Sequence, residues 1–275
     1  MATKANQPKF SIVIPTLNEE KYLPLLLKDL SNQTFQDFEI LIVDGNSEDK
    51  TVQKAEFFKS KFKKLRIINT KKRNVSHQRN FGAKKADADW VLFMDADNRL
   101  PKYFLQGIKY RTESINCNFF TTWMKADSKD SMSKSAATIV NLLVEIQKTS
   151  EKPYLFESFI AIKKQVFLKL GGFKESLPYA EGNDLAKRAL KRKIAFKVAK
   201  DPRYMYSYRR VRASGKLRHF LKVAQIELAR LANIEISKNR AKKLYPMEGG
   251  KYFEINKESR SLLKKIYDKI ISNGD

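Results

Sequence analysis

The chain has 275 residues, 42% of them hydrophobic and 31% charged, a balance that supports a substantial core and excludes a disordered chain. A single cysteine, Cys117, rules out an internal disulfide, and two histidines with no CxxC leave no zinc-cluster spacing. Lysine and arginine total 55 against 30 acidic residues, a net charge of +25, which attracts polyanions such as nucleic acid, anionic headgroups or phosphorylated substrates.

The opening MATKANQPKF lacks the apolar centre of a signal peptide. No apolar run approaches the ~20 residues that a membrane-spanning helix needs, so a cytoplasmic location is expected. FSIVIP (10–15) reads as a β-branched strand closed by Pro15. KYLPLLLKDL follows with Leu23, Leu26, Leu27 and Leu30 on one helical face. FEILIVDGNS (38–47) is a second buried strand running into a turn, and TVQKAEFFKSKF is helical, with Val52, Ala55, Phe58 and Phe62 at core spacing. LRIINT (65–70) makes a third strand, SHQRNFGAKKA a helix, and WVLFMD (90–95) a fourth strand. Strands apolar on both faces, alternating with helices, predict a mostly parallel sheet covered on both sides, with its ligand beyond the carboxyl ends of the strands.

After Pro101 the periodicity loosens. CNFFTTWMK (117–125) reads as a strand, SKDSMSKS as a polar loop, and AATIVNLLVEIQK (136–148) as an amphipathic helix. The segment 154–173 reads as a strand and a short helix stopped by Gly171 and Gly172, 181–193 as a basic helix, and the stretch ending in SYRRVR as a last strand. From Gly215 onward the pattern is helical, with Leu217, Phe220, Leu221, Ala224, Leu228 and Leu231 forming a stripe. The expected organisation is a catalytic domain over 1–215 and a basic helical extension over 216–275. A basic amphipathic helix suits the surface of an anionic membrane, so peripheral membrane contact is expected, with packing against the domain as the commoner alternative.

Polar residues recur where the strands end: Thr16, Asn18 and Glu19 after the first, Asp44 after the second, Asp95 and Asp97 after the fourth. Two carboxylates around one small residue, Asp95-Ala96-Asp97, are costly to desolvate. They have a use when a hard divalent cation must hold a diphosphate, since Mg²⁺ and Mn²⁺ take oxygen ligands and share their shell with phosphate. The plain alternative is that both aspartates cap turns.

The motifs VIPTLNEE, VDGNSEDKT, SHQRNFGA, FMDADNRLP, the stretch ending KLGGF, and AEGNDLAKR resemble, in order and spacing, the family-2 glycosyltransferases over residues 10 to 212. The resemblance implies a GT-A, Rossmann-like fold and transfer of a sugar from a nucleotide-diphosphate sugar, with inversion, to a glycan or lipid-linked acceptor. Pro15, Thr16, Asn18 and Glu19 would line the base and ribose pocket, Asp44 would accept a hydrogen bond from the base, and Arg79 and Asn80 would face the nucleotide, Arg79 near its diphosphate. Asp95 and Asp97 would hold Mn²⁺ or Mg²⁺. The family's acid pair falls on Glu181 and Gly182, so a glycine stands where the aspartate base is expected; Glu181, Asp184, or an acceptor phosphate that needs no strong base are the open readings. Helix-end stabilisation is the plain one for both acids.

Arg209, Arg210 and Arg212 suit a departing diphosphate or a lipid-phosphate acceptor, because guanidinium grips phosphate with two bonds. Trp123 on the acceptor side suits stacking on a sugar, and equally a place in the core. His77 reads as packed or solvated rather than catalytic. Two other functions stay open. Gly182 allows a degenerate, non-catalytic nucleotide-binding relative, and the charge allows a nucleic-acid-binding protein. Nucleic acid is not an expected partner, because no RNP-type aromatic strand, KH-type loop or zinc finger is present. A nucleotidyltransferase would show a glycine-rich basic loop where this chain has PTLNEEKY.

Overall fold

The structure, a computed structural model, describes residues 7–128, 130–150, 153–177 and 179–209. The chain divides into two compact units, Met1–Ser207 and Tyr208–Asp275. The expected C-terminal helix lies outside the described residues.

Seven strands build the first unit: β1 (Phe10–Thr16), β2 (Phe38–Asp44), β3 (Leu65–Asn69), β4 (Trp90–Met94), β5 (Phe119–Ala126), β6 (Phe159–Lys163) and β7 (Lys197–Tyr206). They form one sheet in the order β3-β2-β1-β4-β6-β5-β7. Pairing is parallel from β3 through β4 and again between β5 and β7; only β6 runs against its neighbours β4 and β5. The mostly parallel sheet is therefore present, with one reversed strand. Every residue of β1, β2 and β4 is buried, as expected of strands covered on both faces.

Helices α1 (Leu23–Ser31), α2 (Thr51–Glu56), α3 (Val75–Lys85), α4 (Phe104–Ser114), α5 (Ser131–Gln147), α6 (Lys164–Lys169) and α7 (Glu181–Lys191) connect the strands. All four leucines of the first predicted stripe are buried in α1, whose Pro24 sits in the first turn, where a missing amide hydrogen costs nothing. Helix α2 is shorter than its pattern suggests. It gives way to a 3-10 turn over Lys59–Lys61, and Phe57 projects into solvent at 72% exposure. Gly82 lets α3 lie on the sheet: a Cβ there would stand 2.4 Å from a methyl of Val13.

The polar stretch SKDSMSKS is not a loop throughout. Asp130 caps α5, its carboxylate accepting from the Ser133 backbone N–H at 3.0 Å and the Ser133 hydroxyl at 2.7 Å, so a polar cap lengthens the helix by a turn. The small and polar residues Ala136, Ala137 and Asn141 face inward from α5 with Val144, while Ile139, Leu142 and Ile146 face outward. No described helix is long and apolar enough to cross a membrane.

Candidate active site

In the order β2-β1-β4 the chain leaves β1 toward β2 on one side and returns as β4 on the other. The crevice beyond the carboxyl ends of β1 and β4 is where such sheets bind ligands, and both principal sequence motifs lie there.

The loop after β1 is braced against the loop after β2. Asp44 accepts from Thr16 Oγ1 at 2.9 Å, from the Ser47 hydroxyl at 2.6 Å and from the Ser47 backbone N–H at 2.7 Å. Asn18, held at φ 54°, accepts from the Glu48 N–H at 2.8 Å and donates its own N–H to the Ser47 hydroxyl at 2.8 Å. The Glu19 N–H donates to Thr51 Oγ1 at 2.7 Å. Gln78 of α3 reaches under both loops, its side-chain amide donating to the carbonyls of Thr16 and Val43, each at 2.7 Å. Pro15, Thr16, Asn18, Glu19 and Asp44 are all buried. The structure brings these residues together in one braced pocket wall, with Asp44 held by three bonds from Thr16 and Ser47.

The second wall is the turn after β4. The Asp95 N–H donates to the Ser158 carbonyl at 3.1 Å, and the Asn98 side-chain amide donates to the same carbonyl at 2.6 Å. Arg99 grips Asp29 of α1 with two bonds of 2.6 and 2.9 Å, and exchanges backbone hydrogen bonds with Met205 of β7. Held from three sides, Ala96 is buried while Asp95 and Asp97 are half-buried, so the carboxylates stand at the crevice with no bulk between them.

Arg79 points into the protein, beneath the turn after β4. It is 3% exposed, lies over the Phe173 ring at 5.4 Å, and donates to Asp95 Oδ1 at 2.8 Å from beneath. Its other nitrogen is 3.5 Å from a carboxylate oxygen of Glu157. Burial works against its charge, but Asp95, Glu157 and Glu181 outweigh that, and the guanidinium holds its proton above the ordinary range. Asn80 is also turned elsewhere: it exchanges two 2.8 Å bonds with the backbone of Phe173 and so fastens the Gly171-Gly172 loop to α3. His77 lies 3.2 Å from both oxygens of Glu175, in keeping with a packed rather than a catalytic histidine.

Helix α7 opens on Glu181, which is 4% exposed. Asp184, one turn on, is bound by Arg188 at 2.7 Å and Lys174 at 2.8 Å. These two cations give Asp184 a structural role in joining α7 to the segment before it. Trp123 is half-buried in β5, and its ring is covered by Arg203 at 5.0 Å and Lys200 at 5.5 Å. Arg209 belongs to the second unit, and Arg210 and Arg212 lie outside the described residues.

Glu157, which the sequence reading passed over, meets Glu181 here. Burial first, then the charge of Glu181, pushes its carboxyl well above the usual carboxylate range, with Arg79 pulling the other way. The site therefore consists of Asp95 and Asp97 at the mouth, Arg79 beneath, and Glu157 with Glu181 alongside.

Among the described residues no three acidic, histidine or cysteine side chains form a complete cage for a metal ion. The donor set still fits a cation that shares its shell with a ligand, since one or two carboxylates plus substrate phosphate are what Mg²⁺ takes. In addition, Asn98 Oδ1, next along the turn, is buried with no hydrogen-bond donor among the described residues.

The reversed strand in a mostly parallel sheet, with a two-carboxylate turn at the switch point, defines a GT-A glycosyltransferase fold. The sequence pattern of Glycosyl transferase family 2 matches residues 11–171, and the chain belongs to that family. An uncharacterized glycosyltransferase of Haemophilus influenzae is 30% identical over 187 residues, 66% of this chain and 61% of the relative. The Staphylococcus aureus poly(ribitol-phosphate) beta-N-acetylglucosaminyltransferase TarS is 28% identical over 74% of this chain, but the match spans only 36% of TarS. The chain thus covers less than two thirds of either relative. Among solved structures, S. aureus TarS 1–349 in complex with UDP-GlcNAc superposes with a TM-score of 0.59 at 20% identity, covering 87% of this chain and 71% of that one. The mannosyltransferase PcManGT of Pyrobaculum calidifontis, in complex with GDP-Man and Mn²⁺, gives 0.58 at 19% identity, covering 87% and 73%.

Proposed function

We propose that this chain transfers a sugar, with inversion, from a nucleotide-diphosphate sugar to a glycan or lipid-linked acceptor. The observation that carries the reading is the pairing of Asp95 and Asp97 at the β1/β4 switch point, facing the braced loops of Thr16–Glu19 and Asp44–Ser47. One wall suits a base and ribose, the other a diphosphate. The neighbouring structures hold UDP-GlcNAc and GDP-Man, which makes UDP- and GDP-sugars the first donors to test.

Asp95 and Asp97 would hold Mn²⁺ or Mg²⁺, which when bound neutralises charge on the departing diphosphate. Arg79 fixes the Asp95 carboxylate from below, so the acid keeps its orientation without a ligand. Proton removal from the acceptor falls to the carboxyl pair beside α7, where Glu157 and Glu181 meet. Arg209, Arg210 and Arg212 are proposed for the phosphate of donor or acceptor. Peripheral contact with an anionic membrane from the cytoplasmic side belongs to the same proposal, supported by the net charge of +25.

The test is a thermal-shift series with UDP, GDP and dTDP, with and without Mn²⁺ or Mg²⁺. At a hundredfold excess over Kd a ligand adds ~2.7 kcal/mol of stability. One nucleotide is expected to stabilise the chain in a metal-dependent way. Asp97→Ala should abolish that increment, measured against the variant's own ligand-free melting temperature. No stabilisation by any of the three would overturn the donor assignment.

A further inference from the structure

The second position of α7 is a glycine, yet the volume its side chain would fill is occupied. A Cβ built on Gly182 would stand 2.6 Å from Cγ and 3.1 Å from the carboxyl carbon of Glu157. The Gly182 N–H donates to Glu157 Oε1 at 2.8 Å. Glu157 arrives from a different part of the chain. It lies two residues before β6, and the reversed course of that strand brings its start to the edge where β1, β2 and β4 end. The next residue, Ser158, supplies the carbonyl that anchors both Asp95 and Asn98.

Glu157 is therefore fixed to the two-carboxylate turn through its neighbour Ser158 and to α7 by its own side chain. Glu157 is half-buried and Glu181 is buried, so Glu157 is the more accessible member of the pair.

We propose that Glu157 is the base that takes the proton from the acceptor, delivering from the segment before β6 the carboxylate that position 182 lacks. The proposal rests on the glycosyl-transfer reading above. In the step, the acceptor O–H bond breaks and its proton passes to the Glu157 carboxylate. The oxygen's electron pair forms the bond to the anomeric carbon. The bond from that carbon to the diphosphate oxygen breaks, and the nucleoside diphosphate leaves with the pair. The raised proton affinity of Glu157 favours the role, because a base works best when its pKa lies near the working pH. Glu181, bonded to it and more deeply buried, positions the carboxyl.

The test uses the full chain with Mn²⁺ and a panel of UDP-, GDP- and dTDP-sugars, following transfer to water as nucleoside diphosphate release. Glu157→Gln is expected to leave the donor KM and the nucleotide thermal shift within about twofold while turnover falls ~10²-fold or more. Gly182→Asp alone should also lose turnover, because its side chain overlaps Glu157. The double variant Glu157→Ala/Gly182→Asp moves the carboxylate to α7 and should recover at least about tenfold over Glu157→Ala. A merely structural role for Glu157 would not produce that rescue. Turnover by Glu157→Gln near that of the unaltered chain, or a double variant that binds nucleotide but is no faster than Glu157→Ala, would overturn the assignment. Failure of the unaltered chain to bind nucleotide or release it from any donor would instead overturn the glycosyl-transfer reading, and this proposal with it.

Discussion

Two aspartates at the end of a buried strand pose an electrostatic problem, and Arg79 solves part of it without a ligand. An arginine keeps its charge at any working pH, so a buried guanidinium under Asp95 and beside Glu157 is a permanent counter-charge for the acid cluster. Glu157 remains poorly solvated, with Glu181 against it and the 3.5 Å contact to Arg79 and the 2.8 Å bond from the Gly182 N–H in partial compensation. Its folded proton affinity lies above that of an ordinary glutamate, ~4.3. The folded state therefore holds a proton that the unfolded chain has released, and the contribution to stability is full below that value and declines as pH rises through the folded pKa. Glutamine cannot ionise, so the advantage of Glu157→Gln in melting temperature should widen as pH rises above the ordinary glutamate value of ~4.3. The measurement is a melting series with a chelator present to remove metal; a pH-independent difference would contradict the environment described for Glu157.

At the scale of elements, α3 carries most of the site's support: Gln78 under the β1 and β2 loops, Arg79 under Asp95, Asn80 against the Phe173 loop. Its placement depends on Gly82, where a methyl would enter the space of Val13. Gly82→Ala should cost ~1–3 kcal/mol by overpacking, read from urea unfolding, and should weaken nucleotide binding as well, since lifting α3 moves Arg79. Substitution of the exposed Lys84 on the same helix should do neither. These dependencies explain what the sequence could and could not disclose. Period and polarity were enough for β1 to β4 and for the acids at their ends, because parallel strands all present their C-terminal residues to one edge. Glu157 lies at the N-terminal end of its strand, which in a parallel reading is the wrong edge. Only the reversal of β6, a pairing that local composition does not encode, brings it to the site. Asp44, Arg79 and Asn80 were legible as site residues, but their partners were not: Ser47, Glu157 and Phe173 are distant in the chain or unremarkable in type. Gly182 was legible as a missing side chain, and the structure shows what fills its place.

At the scale of the whole molecule, the net charge of +25 bears on where the protein meets its acceptor. A lipid-linked acceptor would lie in a membrane whose anionic headgroups attract lysine and arginine by ~1 kcal/mol for each residue near the surface, an attraction that decays within a Debye length of ~8–10 Å at moderate salt. The chain should therefore float with vesicles containing phosphatidylglycerol or phosphatidylserine at low ionic strength and stay behind with purely zwitterionic vesicles. Raising salt to ~0.5 M should release it, because screening shortens the reach of exposed charges. Flotation that survives high salt would assign the contact to apolar side chains instead, of which α5 exposes Met132, Ile139, Leu142 and Ile146. No flotation with anionic vesicles at low salt would leave the charge without a membrane role and favour a water-soluble glycan as acceptor.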